Sequence, residues 1–294
     1  MTIARAEALA LIGATLLLPD CAGSNPNVVR VGSKNFTEAF VIAEIYAQAL
    51  ERSGLAVERH MDLGSTQIAM AALRRGDIDL YPEYTGTALI DVLHLPLERD
   101  PGTLYRTVAQ AYRRRFDLVW LRPAPMNDSQ GLATTQAVSR TYRMTTLSQL
   151  ALEAPHLRLA AIPEFLSRPD ALPGLQSFYG GFHFKSIRTY DIGLKYEALL
   201  RQDADVATAF TTDGEIAADH LVLLVDDKHF WPAYNVAPVV RAGALHRNPR
   251  IEPALNRVSP FITSSEARRM NYAVDFEKQD PSAVASAFLR AHGL

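Results

Sequence analysis

Short strands alternate with helices along the chain from residue 28 onward. "VVRVG" at residues 28–32 is a compact apolar strand, and it precedes a helix that Thr37 can cap and Gly54 can end. Two further strands are then predicted at residues 57–63 and 77–81, with a second helix between them at residues 65–75. This βαβαβ order predicts a mostly parallel sheet covered by helices, because parallel neighbours need a long crossover connection.

The second half of the chain repeats this plan, and one segment also repeats in sequence. Residues 72–87 and 198–213 share a helix end, an Asp-x-Asp pair, a strand, and then an aromatic residue followed by threonine. The repeat predicts two α/β lobes, with Tyr84 and Phe210 at the ends of equivalent strands. If these strand ends face each other they form a cleft, and α/β folds bind ligands in such crevices.

The N-terminal residues predict export. Residues 1–18 carry an early arginine and an apolar run that is too short to span a bilayer but suits a signal peptide. Cys21 is the single cysteine, so an intrachain disulfide and a cysteine-based metal site are excluded. It stands where a lipoprotein signal would be cleaved and acylated, although Pro19 and Asp20 precede it in place of small residues. The sequence leaves acylation of Cys21 open.

Composition excludes several classes of function. The chain has 294 residues, 48% of them hydrophobic, and a net charge of −2 with both signs dispersed, which predicts a globular protein that does not bind nucleic acid. It has no nucleophile elbow, no His-Glu-x-x-His motif and no glycine-rich dinucleotide loop, and its eight histidines lack metal-ligand spacing. We therefore predict a protein that is not an enzyme and that uses no metal and no cofactor.

A few residues at predicted strand ends and rigid turns are candidates for ligand binding. Lys34 stands in the loop before a helix N-terminus, where an anion can bind. In "DIDLYPEYTGTALI", Tyr84 offers a ring face and Thr87 a hydroxyl. Tyr234 lies between two proline turns. For each of these the alternative is a structural role, and Arg168 could simply pair with the nearby Asp170.

Several motifs together resemble one family of binding proteins. "VGSKNFTEAFVIAEIYAQALE", "LGSTQIAMAALRRGDIDLYPEYTGTAL", "PEFLSRPDALPGL" and "DDKHFWPAYNVAPVVR" are similar to the substrate-binding proteins of osmoprotectant ABC transporters, the glycine betaine/carnitine/choline type. The resemblance runs from about residue 28 to the C-terminus. It implies a type II periplasmic binding protein, with two α/β lobes joined by two hinge segments around a ligand cleft.

The resemblance also implies roles for individual residues. Lys34, Thr87 and Arg168 would hold the carboxylate of the ligand, and the rings of Tyr84, Phe210 and Tyr234 would surround its quaternary ammonium group. Gln130 stands where relatives usually have a fourth aromatic residue, a tyrosine. A trimethylammonium group has no N–H to donate, so ring faces can hold it where hydrogen bonds cannot, at about 0.5–2 kcal/mol each. Arg168→Ala is expected to weaken betaine binding with little loss of stability.

The predicted organisation and partners follow from the same resemblance. Lobe one would comprise residues 28–125 and 231–294, and lobe two residues 126–230, after a signal peptide and linker at residues 1–27. The protein would be a periplasmic monomer, with or without a lipid anchor, that delivers glycine betaine or a relative to ABC permease subunits and their ATPase. The alternatives are a receptor for a different small cationic or zwitterionic metabolite, suggested by Gln130, and a sensory ligand-binding domain.

Overall fold

The computed structural model describes residues 28–294, which form two five-stranded sheets with helices packed around them. The predicted signal peptide and Cys21 lie outside the described residues. The sheet orders are β2-β1-β3-β10-β4 and β7-β6-β8-β5-β9, which are equivalent arrangements of strands. We call the part built on the first sheet lobe one and the part built on the second lobe two. The predicted lobe boundaries near residues 125 and 230 stay a prediction.

Lobe one contains the strands and helices at both ends of the described chain. Its strands are β1 Val28–Gly32, β2 Ala56–His60, β3 Leu80–Tyr84, β4 Leu118–Trp120 and β10 Val236–Arg241. Its helices are α1 Thr37–Arg52, α2 Thr66–Arg75, α3 Thr85–Thr87 with a π-helical turn at Ala88–Val92, α4 Pro101–Phe116, α10 Ala242–Arg247, α11 Ile251–Val258, α12 Ser264–Asp275 and α13 Pro281–Ala291.

Lobe two is formed by the middle of the chain. Its strands are β5 Gln130–Thr134, β6 Arg158–Ala161, β7 Ser186–Thr189, β8 Val206–Phe210 and β9 Val222–Leu223. Its helices are α5 Gln136–Tyr142, α6 Leu147–Glu153, α7 Leu172–Tyr179, α8 Lys195–Leu200 and α9 Glu215–Ala218. Short 3₁₀ turns lie at Ala154–His156 and Pro163–Leu166 in this lobe, and at Ser259–Phe261 in lobe one.

Each sheet contains one antiparallel strand that the sequence pattern did not predict. β10 pairs antiparallel with β3 and β4, and β5 pairs antiparallel with β8 and β9, whereas the other pairs are parallel. Each is the first strand formed after the chain has crossed from one lobe to the other. The two crossing segments touch through an antiparallel bridge between Asn127 and Asn235. The chain therefore enters each sheet from the side of the other lobe, which reverses the direction of that strand.

The internal repeat has a structural counterpart in both lobes. Asp79, just before β3, accepts hydrogen bonds from the backbone and guanidinium nitrogens of Arg30 on β1, at 3.0 and 3.1 Å. Asp205, just before β8, accepts the same pair of bonds from Arg158 on β6, at 2.8 and 2.9 Å. The second aspartate of each Asp-x-Asp pair thus ties neighbouring parallel strands together. This confirms the prediction that Tyr84 and Phe210 end equivalent strands.

Some local predictions were wrong. Thr37 does not cap α1, because Phe36 is the N-cap residue and the Thr37 hydroxyl donates to Asp275 of α12 instead. β5 was missed because "QGLAT" is short and lacks β-branched residues before its last position. Among residues 28–294, no helix is long and apolar enough to cross a membrane.

Candidate functional site

Lys34 follows β1 and is buried, with 5% of its surface exposed. Its ammonium donates to Oε1 of Glu83 at 2.8 Å and to the hydroxyl of Thr66 at 3.4 Å. The same ammonium lies 4.5 Å from the ring centroid of Tyr84. The alternative of a solvated surface lysine is therefore wrong. In this structure a buried carboxylate already neutralises the predicted anion binder.

Glu83 is a fully buried carboxylate at the end of β3. In addition to the hydrogen bond from Lys34, Glu83 accepts hydrogen bonds from the hydroxyl of Tyr81 at 2.8 Å and from the backbone N–H of Tyr84 at 2.7 Å. The three donors satisfy both of its oxygens, as burial of a polar group requires. Its role is to hold Lys34 against the Tyr84 ring rather than to act as an acid or base.

Tyr84 is buried at the end of β3, and its hydroxyl donates to Oε1 of Glu38 at 2.7 Å. The other oxygen of Glu38 accepts from Asn271 of α12 at 3.0 Å, and the same amide donates to the carbonyl of Thr212 in lobe two at 2.9 Å. Burial raises the pKa of Glu38, although its hydrogen bonds oppose that rise. The strand end in lobe one is therefore connected to lobe two through one carboxyl group and one amide.

Arg168 lies after the 3₁₀ turn Pro163–Leu166, and its side chain is 17% exposed. Its Nε and Nη2 donate to Asp170 at 2.8 and 2.6 Å, so the predicted pairing with Asp170 is confirmed. Nη1 donates to Asp91 of lobe one. Burial raises the pKa of Asp91 to about 6, while the charge of Arg168 opposes that rise. Removing Arg168 would leave two carboxylates without their cation, so the expectation that Arg168→Ala leaves stability almost unchanged is revised.

Asp170 is fully buried and joins the predicted carboxylate binder to the predicted aromatic box. Oδ2 of Asp170 accepts from Gln130 of β5 at 2.7 Å, from Arg168, and from the hydroxyl of Tyr234. Gln130 also contacts the Tyr234 hydroxyl at 3.3 Å. Gln130, Arg168 and Tyr234 therefore meet at one carboxylate, although they are widely separated in sequence.

Phe210 ends β8 in lobe two and also faces an ammonium group. Nζ of Lys195 on α8 lies 4.9 Å from its ring centroid. Lys195 is 2% exposed and forms an ion pair with Asp213 at 2.9 Å, and Asp213 also accepts the backbone N–H of Phe210 at 2.9 Å. At the end of β8 a ring thus lies beside an ion pair of a buried lysine and a partly buried carboxylate, and at the end of β3 a ring lies beside a fully buried pair.

Thr87 ends α3 and is partly exposed, four residues before Asp91. Between Tyr84 and Thr87, Gly86 packs against Tyr234 so closely that a Cβ at this position would lie 2.4 Å from a ring carbon. The absence of a side chain at Gly86 is what allows the Tyr234 ring to lie over the start of α3.

Several residues that contact the predicted site residues were not predicted from the sequence. Phe36 lies beside Tyr84 with ring centroids 6.1 Å apart, and Lys195 and Asp91 face Phe210 and Arg168. Phe36 could have been suspected because it follows Lys34 within two residues. Lys195 and Asp91 carry no such local signal, since their partners are brought to them by the fold.

The rings and carboxylates around Tyr84, Tyr234 and Phe210 are suited to a ligand that carries positive charge. Aromatic faces attract a diffuse cation, and at the ends of both β3 and β8 the ring face is occupied by an ammonium group of the protein itself. Buried carboxylates surround these rings and can balance additional positive charge. No acid–base pair with a role in bond breaking is required to explain the arrangement.

Comparison with known proteins identifies the family. A family model described as the substrate binding domain of an ABC-type glycine betaine transport system matches residues 27–291. A glycine-betaine-binding protein of Pseudomonas aeruginosa is 35% identical over 93% of both chains. An ergothioneine transport permease/ergothioneine binding protein of Helicobacter pylori is 32% identical over 97% of this chain, which spans 51% of that longer protein.

Solved structures agree with this result. A structure described as a glycine betaine/carnitine/choline ABC transporter superposes with a TM-score of 0.77 at 29% identity, covering 90% of this chain and 98% of that one. The two-lobed fold of type II periplasmic binding proteins is thereby confirmed. Members of the family bind substrates for transporters and are not enzymes, as the sequence predicted. The chain belongs to the family of substrate-binding domains of ABC-type glycine betaine transport systems.

Proposed function

We propose that this protein captures a small quaternary ammonium compound, glycine betaine or a relative, between its two lobes and delivers it to an ABC permease driven by its ATPase. The observation that carries the proposal is the pair of strand ends at Tyr84 and Phe210. At each of them an aromatic ring from a different lobe already faces a buried ammonium group, at 4.5 and 4.9 Å. A ligand cation placed between the lobes would replace these ammonium groups on the ring faces or contact the opposite faces of the rings.

In this proposal the seven predicted residues divide into two groups. The rings of Tyr84, Phe210 and Tyr234 attract the ammonium group, with Gln130 beside them. Lys34, Thr87 and Arg168 would hold the carboxylate of the ligand, and they adjoin the rings, since Lys34 contacts Tyr84 and Arg168 shares Asp170 with Tyr234. Each ring contact with a desolvated cation contributes about 0.5–2 kcal/mol, so three rings together contribute about 1.5–6 kcal/mol.

Calorimetry with glycine betaine, carnitine and choline tests the proposal. We expect at least one of them to bind, and Phe210→Ala to weaken that binding by about 0.5–2 kcal/mol because one ring face is lost. Tyr272→Ala is the matched control, since Tyr272 is 38% exposed on α12 and stacks on Phe276. Absence of binding by all three compounds, or equal affinities of the two variants, would contradict the proposal.

The location of the protein forms a second part of the proposal. The family is extracytoplasmic, and residues 1–18 read as a signal peptide that is removed on export. Acylation of Cys21 would then anchor the mature monomer to the membrane beside its permease. Intact-mass measurement of protein from a native host tests this, because a diacylglycerol adduct on Cys21 supports the anchor and an unmodified mature chain contradicts it.

A further inference from the structure

The ion pairs around Arg168 use three of its five N–H donors and already compensate its charge within the protein. All three guanidinium nitrogens of Arg168 already donate to carboxylates, Nε and Nη2 to Asp170 and Nη1 to Asp91. Asp170 lies two residues away on the same loop, but Asp91 comes from lobe one. The side chains of Arg168 and Asp91 are only 17% and 14% exposed, so water competes weakly for this contact.

Lys34, the other predicted carboxylate binder, is also neutralised within the protein. Its ammonium is 2.8 Å from the fully buried Glu83, and its charge and that of Glu83 both influence the pKa of Asp91. The two cations therefore share one region with three carboxylates, those of Glu83, Asp91 and Asp170. When all of these groups are ionised, the region carries an excess of one negative charge.

We infer that Asp91 acts as a built-in carboxylate on Arg168, so that the site selects a ligand that is a simple cation over one that is a zwitterion. The inference rests on the proposed function and specifies its substrate class. A zwitterion must either displace Asp91 from Arg168 or bring its own carboxylate beside uncompensated negative charge. Both cost free energy, because an unpaired buried charge and a like-charge contact are each unfavourable. A cation without a carboxylate leaves the pair intact and gains from the excess negative charge.

Asp91 lies four residues after Thr87, on the π-helical turn that continues α3. This position places it in the same short helical segment as a residue predicted to hold the ligand carboxylate. Selection by Asp91 would therefore act through Arg168, which shares Oδ2 of Asp170 with the hydroxyl group of Tyr234.

Calorimetry of the whole protein with choline and with glycine betaine tests the inference. We expect choline to bind to the wild-type protein at least about 10-fold more tightly than betaine. Asp91→Asn should shift the ratio of the two affinities toward betaine by at least about 10-fold. The reason is that a like-charge contact costs more than about 1.4 kcal/mol, the free energy of a tenfold change in affinity. Asp77→Asn, which removes an exposed partner of Arg75, is the control and should not change the ratio. Betaine binding more tightly than choline to the wild-type protein would overturn the inference but support the proposed function. Failure of both ligands to bind overturns both.

The pH dependence of the wild-type protein gives a second test that needs no variant. Arg168, Asp170, Glu83 and Lys34 are the charged groups that act on Asp91, and burial raises the Asp91 pKa to about 6. Protonation below that pH frees Arg168, so the preference for choline over betaine should decrease as the pH falls from 7.5 to 5. A ratio that does not change with pH would contradict the role of Asp91.

Discussion

Replacement of Asp170 by asparagine is the most informative single change in this structure. The substitution keeps the shape of the side chain but removes its charge and replaces one acceptor oxygen with a donor. Oδ2 accepts from Arg168 at 2.6 Å, from Gln130 at 2.7 Å and from the Tyr234 hydroxyl. An amide nitrogen at that position would face three donors and could accept from none of them.

The magnitude follows from burial. Asp170 is fully buried and the Arg168 side chain is 17% exposed, and removing one partner of a buried pair costs about 3–5 kcal/mol because the other charge stays without its partner. Asp91 remains as a partner for Arg168, so we expect the lower part of that range. Asparagine is isosteric with aspartate, so no cavity adds to the cost. A loss of about 3 kcal/mol is a large share of the stability of an ordinary domain, about 5–15 kcal/mol.

Urea denaturation at pH 7 measures this loss. The matched control is Asp77→Asn, because Asp77 also pairs with an arginine two residues before it, Arg75, but on an exposed surface with the two side chains 52% and 64% exposed. We expect that control to change the free energy of unfolding by less than about 1 kcal/mol. If the two variants lose the same small amount, then Asp170 does not organise the buried cluster and the reasoning is refuted.

Two further predictions concern single contacts, and a third concerns the titration of one carboxyl group. Gly86→Ala should lower stability by about 1–3 kcal/mol, since its Cβ would overlap the Tyr234 ring. Gly193→Ala, where nothing lies within 4 Å, is the control, and equal effects would contradict the packing argument. Tyr84→Phe should cost about 1–3 kcal/mol in urea denaturation because it removes a donor to the buried Glu38, and an unchanged midpoint would refute this. For Glu215, burial raises the pKa from 4.5 to about 7, so wild-type stability decreases as pH rises through this range. Glu215→Gln should therefore become increasingly stable relative to wild type between pH 4.5 and 7, and a constant difference would exclude this titration.

The part of the site that could be predicted consists of residues that are close together in the sequence. The ends of β3 and β8 were located because the Asp-x-Asp pair, the apolar strand and the following aromatic residue stand next to each other in sequence. Lys34 was singled out from its place between a strand and a helix. The aspartate partners were not predicted as members of the site, except that Asp170 was recognised as a neighbour of Arg168.

The two α/β lobes, their repeat and the aromatic residues at equivalent strand ends could be predicted from the sequence, because hydrophobic periodicity and turn residues act over a few neighbouring positions. The antiparallel direction of β5 and β10, the contact of Asp91 in one lobe with Arg168 in the other, and the sharing of Asp170 by Gln130 and Tyr234 became visible in the folded chain alone. These contacts join residues from 40 to 104 positions apart. No local pattern encodes them, since they depend on where two crossing segments return the chain.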